Sequence, residues 1–383
     1  MTTPPAELPR WMDWGLLPLL NLALALAVCA GVAAWVGLDP WQVLAQGARG
    51  AFGSRAGIGY TLYYATSFVF TGLAVAVALH GGLFNIGGEG QALLGGLGCT
   101  AVALACGDRL PAALLLPLMV AGAAAAGAAW AAVPAALQAW RGSHVVITTI
   151  MANFLASALV AGLLVHVLRP PGSMTLESAP FPAAGHLPAV HPLLQALGLD
   201  WPATPLNLSV LLAAAAALGV HALLFRTAAG YELRATGCAP LAAQYAGVRP
   251  RAQVMGAMAV SGALAGLVGV NELAGVQHRL LLDFVAGAGF TGIAVALIGR
   301  KHPLGIVLAS LLFGALHQGG AELAFEVPGF SRELLTTLQG LVVLFAGALG
   351  PVAAPALARL HRKRAAPRRA AAPADRADGG RHG

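Results

Sequence analysis

Three polar side chains, Asn85, Glu89 and Gln91, lie in the run Gly81 to Gln91 together with five glycines. One apolar stretch leads into this run (Thr71 to Leu79) and another leads out of it (Ala92 to Cys106). Amides donate and accept hydrogen bonds. A carboxylate accepts them, carries a proton or caps backbone N–H groups. In hydrocarbon an unpaired backbone N–H or C=O costs several kcal/mol. The break is therefore either a tight turn at a membrane face or a broken helix at a transport site. A second glycine-rich stretch, Ala286 to Gly292, carries Phe290 and Thr291. Phe84, Asn85, Glu89, Gln91, Phe290 and Thr291 are the candidates for a substrate path. Each has a plainer reading. Glu89 locks the break by capping backbone N–H groups, or it touches the ligand. Asn85 caps backbone, or it bonds a ligand edge. The two phenylalanines pack, or they stack on a flat ligand. Glu272 sits near an outer end, facing water or Arg279.

The remaining residues exclude several chemistries. Cys29, Cys99, Cys106 and Cys238 form no CxxC pair, and the histidines make no HxxxH or HExxH pattern, so neither a disulfide nor a metal is expected. There is no nucleophile elbow and no close pair of carboxylates, which leaves an enzyme little support. The only lysines, Lys301 and Lys363, stand outside any GxxxxGK[ST] loop, so ATP must be bound by another chain if it drives the work. An ion-coupled transporter that carries protons on Glu89 and Glu272 remains open.

The elements that must position these residues are membrane spans. Of 383 residues, 58% are hydrophobic and 10% charged, against roughly a quarter charged in a soluble domain. The spacing predicts an all-α polytopic membrane protein with about ten transmembrane helices in the membrane body 16–358. The expected spans are Leu16 to Leu38, Leu62 to Leu79, Gln91 to Cys106, Pro111 to Leu137, Val145 to Leu168, Leu206 to Phe225, Ala252 to Val270, Phe284 to Ile298, Leu304 to Leu316 and Leu334 to Ala358. Asp39 to Gly59 reads as an interfacial helix or loop, and His317 to Ser331 as a polar link. The proline-rich segment 169–205 cannot span and reads as an extracytoplasmic loop. Residues 226–251 are polar, residues 1–15 form a short N-terminus and 359–383 a basic tail.

The net charge of +7 does not indicate nucleic acid, because eight cations lie in the last 25 positions. Ten spans put both termini on one side. With the termini in the cytoplasm, the inner segments hold Arg10, Arg141, the four arginines of 226–251, Arg300, Lys301 and the tail cations. The outer segments hold only Arg49, Arg55, Arg109, Arg169, Arg279 and Arg332, as the positive-inside bias requires. Division after the fifth span gives two inverted five-helix halves, each with a short, glycine-interrupted third span. Such a pair is a sequence pointer to a transporter's central site.

These residues also carry a resemblance. Phe84-Asn85-Ile86-Gly87-Gly88-Glu89-Gly90-Gln91 and Gly289 to Arg300, followed by Pro303-Leu304-Gly305, resemble blocks of bacterial ABC-importer permeases. The branch is the nucleoside-type, basic membrane protein-associated one within the ribose and branched-chain amino acid permease superfamily. The resemblance covers roughly residues 15–360. It implies a permease subunit in the bacterial inner membrane that moves nucleosides into the cytoplasm, or a simple sugar such as ribose. It implies a second homologous permease, an ABC ATPase with two nucleotide-binding domains and an extracytoplasmic substrate-binding lipoprotein. No cofactor is expected on this chain, with ATP-Mg on the partner ATPase. Arg234, Thr236, Gly237, Pro240, Leu241, Ala242, Ala243, Tyr245 and Gly247 resemble the family's coupling segment. There Pro240 opens a helix, Leu241 and Tyr245 share one face and Gly247 closes it. Ala239 stands where the family usually has Asn, and Ser67 where it usually has Pro.

Overall fold

The computed structural model describes residues 17–327, 330–331, 334–341 and 344. The expected N-terminus 1–15, most of the expected span Leu334 to Ala358 and the basic tail 359–383 lie outside the described residues. Thirteen α-helices follow one another among the described residues: α1 Leu17–Trp35, α2 Pro40–Phe52, α3 Arg55–His80, α4 Gly88–Cys106, α5 Ala112–Arg141, α6 Val145–Leu163, α7 Val190–Ala196, α8 Ser209–Arg226, α9 Ala228–Cys238, α10 Pro240–Tyr245, α11 Pro250–Gly266, α12 Ala288–Ile298 and α13 Pro303–Glu326. Residues 334–341 are helical as well. Two π-helical segments, Leu164–Leu168 and Val270–Gln277, extend α6 and α11. The protein is an all-α polytopic membrane protein, with seven described helices long and apolar enough to cross a bilayer.

The helix bounds differ from the sequence expectation in four places. The second span opens at Arg55, not Leu62, because Ser54 caps the helix by accepting from Gly57 N–H at 2.9 Å. The seventh continues through the π-helical segment to Gln277 and takes Asn271 and Glu272 inside. The eighth is an 11-residue half-helix beginning at Ala288, about 16 Å long and too short to cross. The expected polar link after Leu316 is helix: α13 carries His317 and Glu322 in one 24-residue rod. Polar residues there look like a link in sequence. They stay helical because they line cavities rather than lipid.

Small residues set the packing. A Cβ on Gly95 would stand 2.2 Å from Gly266 Cα, one on Gly127 2.2 Å from Gly262 O and one on Gly98 2.4 Å from Gly122 O. Helices α4, α5 and α11 thus meet backbone to backbone, which in lipid supplies the close van der Waals contact that drives association. Helix α3 runs through the middle, its residues from Ala65 to Ala78 buried. Its first turns lie beside the segment 169–205, where Thr204 abuts Gly59 and Arg55 pairs with Asp200 at 3.8 Å. Its last turn lies against α9, where Leu233 abuts Gly81. The segment 169–205 is strapped to the chain beyond α11 by Phe181 N–H to His278 O at 2.7 Å, Ser178 N–H to Leu280 O at 3.0 Å and an Arg279–Glu177 ion pair at 2.8 Å.

Candidate functional site

The break after α3 is a packed hinge. Gly82 adopts φ +74°, a left-handed turn open to glycine, and Leu83 N–H returns to Ala78 O at 3.0 Å. The next backbone groups are met by side chains. Gly87 N–H donates to Asn85 Oδ1 at 2.8 Å, and Ile86 N–H to Thr149 Oγ1 at 3.3 Å. Asn153 of α6 accepts from Gly90 N–H at 2.9 Å and donates to Ile86 O at 3.0 Å, tying α6 to the break. Asn85 is 1% exposed. Its Nδ2 donates to Gln91 Oε1 and to Ser261 Oγ, each at 2.9 Å, and its Oδ1 also accepts from Gln91 Nε2 at 3.1 Å. These groups satisfy one another, as buried polar groups must.

Glu89 joins this break to the second one. It lies in the first turn of α4, and it accepts from Gly287 N–H at 2.9 Å and Gly289 N–H at 2.8 Å, at the start of α12. Helices α4 and α12 meet N-terminus to N-terminus, and a Cβ on Gly289 would stand 2.2 Å from Glu89 N. One carboxylate therefore faces the positive ends of two helix dipoles. The N–H groups that it caps belong to the other glycine-rich stretch, not to its own.

Beside this junction lies a cavity of about 1230 Å³. Phe290 and Thr291 line it from α12, Tyr63, Tyr64 and Phe68 from α3, Glu272 and Gln277 from the π-helical segment, and Phe313 and His317 from α13. Phe290 is 49% exposed. The His317 ring lies 4.2 Å from that of Tyr64, and Phe68 meets Phe313 edge-on at 6.3 Å. The described lining includes Asp283 and Glu272 and neither Lys nor Arg. Of the six substrate-path candidates, Phe290 and Thr291 face this cavity. Asn85, Gln91 and Glu89 are engaged in the hinge behind it, and Phe84 is half-buried outside the lining.

Glu272 is the cavity residue whose place the sequence misjudged. It faces neither water at an outer end nor Arg279, which pairs with Glu177. It accepts from the Tyr63 hydroxyl and from Ser67 Oγ at 2.8 Å. Asn271 beside it is wholly buried and donates to Ser67 Oγ at 2.8 Å. Its Oδ1 accepts from Ser209 Oγ at 2.6 Å and Asn207 Nδ2 at 3.1 Å. The adjacent polar pair Asn271-Glu272 at the end of an apolar run was the available signal.

The 226–251 segment folds as two short helices. Thr227 caps α9 by accepting from Gly230 N–H at 3.1 Å. Pro240 opens α10, and Gly247 follows it at φ +89°. Ala239 stands at the N-cap with no side-chain hydrogen bond. Leu241 and Tyr245 project outward, 72% and 94% exposed, whereas Ala243 is buried. Gly237 packs against the hinge: a Cβ there would stand 2.2 Å from His80 O and 2.8 Å from Gly82 N. Thr236 is buried and donates to Glu232 O at 2.8 Å. Arg234 lies over the Phe225 ring at 5.2 Å, and Phe225 meets His302 at 5.5 Å and His80 edge-on at 5.9 Å. Burial and the neighbouring His221 hold His302 below the usual imidazole range. His80 Nε2 lies 3.2 Å from Lys301 O, in the turn that ends α12.

A family model described as "Branched-chain amino acid transport system / permease component" matches residues 57–347. The chain is 35% identical over 345 residues to a glucose ABC transporter permease protein of Haloferax volcanii, covering 89% of each chain. It is 34% identical over 334 residues to a guanosine ABC transporter permease protein of Bacillus subtilis, covering 86% of this chain and 92% of that one. It is 30% identical over 339 residues to a nucleoside ABC transporter permease protein of Lactococcus lactis, covering 86% and 90%. No solved structure matches the chain.

Proposed function

The chain belongs to the branched-chain amino acid transport system permease family and is the permease component of an ABC transporter. From that premise we propose that it imports a nucleoside across the bacterial inner membrane, with both termini in the cytoplasm. The observation that carries this reading is the cavity of about 1230 Å³ beside the junction of α4 and α12, walled by the rings of Phe290, Phe68, Phe313 and Tyr64. Aromatic walls suit a flat base, since stacking is worth ~1–3 kcal/mol per base in exposed grooves. Thr291, Gln277 and Glu272 offer polar contacts in the same space. The names of the guanosine and nucleoside relatives support the same substrate class.

A sugar is the second reading, and one observation favours it: the relative at 35% identity is named for glucose. A sugar uses the polar contacts and leaves most of the aromatic wall idle.

Permeases of ABC transporters work with an ATPase and a substrate-binding partner. In this reading the ATPase carries two nucleotide-binding domains and the ATP-Mg, and it seats the exposed Leu241 and Tyr245 of α10 in a cleft. A second, homologous permease covers the cavity, and an extracytoplasmic lipoprotein delivers substrate. Movement of α9 reaches the membrane by two contacts. Gly237 presses on the Gly82 hinge, and Arg234 acts through Phe225 and His302 on the turn that ends α12. Helix α12 then carries Phe290 and Thr291, and its N-terminus stays held by Glu89.

The test is uptake of radiolabelled guanosine and glucose into proteoliposomes that hold this chain, its ATPase, the second permease and the binding lipoprotein. Nucleoside uptake that needs ATP and every partner supports the reading. Glucose uptake alone moves the substrate to sugars. Uptake by this chain alone, driven by a proton gradient, overturns it in favour of an ion-coupled transporter.

A further inference from the structure

We propose that Glu272 is the specificity-determining acceptor of the cavity: its carboxylate takes hydrogen bonds from N–H or O–H donors of an uncharged ligand and discriminates against phosphorylated forms. The inference rests on the cavity being the substrate path, as proposed above. It names the polar group that reads the ligand there.

Glu272 lines the cavity together with aromatic rings of α3 and α13. A carboxylate has about four lone-pair sites. Ser67 Oγ and, at 3.5 Å, Asn271 Nδ2 donate to Oε1, and the Tyr63 hydroxyl alone donates to Oε2, which leaves acceptor capacity on Oε2 of a group that borders the cavity. Its position is fixed on three sides. Tyr63 and Ser67 hold it from α3. The neighbouring Asn271 is held by Asn207 and Ser209 at the start of α8 and donates to Ser67. The π-helical winding of Val270–Gln277, of a kind enriched at functional sites, lets two successive polar side chains, Asn271 and Glu272, both reach Ser67 of α3. An acceptor locked before the ligand arrives loses little entropy on binding.

The same group repels. Asp283 is the other carboxylate of the lining, and the described lining residues include no Lys or Arg to offset it. A phosphate dianion in this space meets like charge and, among the described lining residues, no Lys or Arg, which is how a site rejects a competitor rather than merely failing to hold it. The plainer role for Glu272 is a pin between α3 and the segment after α11.

Glu272→Gln separates the two roles, because glutamine still offers one acceptor and one donor to Tyr63 and Ser67 but removes the charge. The complete transporter is assayed in proteoliposomes with guanosine and glucose, and the wild-type result decides the substrate class by itself. For whichever ligand moves, E272Q is expected to raise KM about tenfold with kcat for ATP hydrolysis unchanged. Equilibrium dialysis of the permease–ATPase complex in nanodiscs, with the binding lipoprotein omitted, compares that ligand with its monophosphate. The wild type is expected to prefer the uncharged form at least tenfold, and E272Q to narrow that preference. Unchanged KM and unchanged preference overturn the proposal, as does a fall in kcat alone, which marks a pin. If E272Q does not assemble, Asp283→Asn reads the charge effect: a narrowed preference supports the proposal and an unchanged one overturns it.

Discussion

At the scale of single residues, the polar side chains divide by what they bond. Asn85 and Gln91 bond each other, and Asn85 bonds Ser261 as well, so both are engaged in the hinge. Asn85→Ala leaves Gln91 Oε1, Gln91 Nε2 and Gly87 N–H without their partner. Buried groups stripped in this way cost ~1–3 kcal/mol each. The expected result is a fall in Tm of the detergent-purified complex, with KM for substrate barely moved. A tenfold KM effect at normal Tm would instead put Asn85 in contact with ligand. Glu89 is tested by a pair. Glu89→Ala strips Gly287 N–H and Gly289 N–H of their acceptor and is expected to cut uptake at least tenfold. In the wild type, an ionophore that collapses the proton gradient should leave ATP-driven uptake intact. Loss of uptake under ionophore would restore the proton-carrier role.

At the scale of elements, the coupling proposed for α9 and α10 rests on shape. Gly237→Ala places a Cβ 2.2 Å from His80 O, where backbone cannot yield cheaply. The expected phenotype is uncoupling: ATP hydrolysis persists while uptake falls. Equal loss of both would mean that the variant has misfolded or shed its ATPase. The bare N-cap of α10 gives a prediction of opposite sign. Ala239→Asn supplies the missing acceptor and should stabilise the helix by about 1 kcal/mol, read as slower hydrogen exchange of the Leu241–Tyr245 amides. No slowing would show that the Asn side chain fails to reach the first-turn N–H groups.

At the scale of the whole molecule, the segment 169–205 is strapped to the chain beyond α11, and their joint is expected to weaken in acid. The rings of His186 and His278 stack at 3.7 Å and 14°. Burial and the neighbouring His186 and Arg279 hold His278 below its ordinary value of 6.5, against a smaller opposing backbone hydrogen bond to Ala274. The folded strap therefore binds that proton less well than the unfolded segment does. Its stability is complete above pH 6.5 and falls as the pH drops below that value toward the depressed folded pKa. Limited proteolysis of 177–187 should speed up between pH 7.5 and pH 5, at fixed ionic strength and protease activity. His278→Asn should flatten the dependence, and an unchanged slope in that variant would assign it to other groups.

Residue type and hydrophobic run length determined much of this protein. They place a polytopic helical body, two glycine-rich breaks with Glu89 and Phe290 on them, and a Pro240–Tyr245 helix closed by Gly247. Each of these is local: run length against bilayer thickness, proline at a helix start, glycine at a turn. Tertiary structure decided what pairs with what. That Glu89 caps the start of α12 depends on α4 and α12 meeting across a long sequence separation. That Glu272 lies inside, beside Tyr63 and Ser67, depends on α11 continuing through a π-helical turn past its polar pair, which hydropathy reads as an exit from the membrane. That His317 and Glu322 belong to a helix and not to a link shows only in the packed fold, where each lines a cavity. Run length registers how apolar a segment is, and only the packed fold shows which of its faces meets lipid.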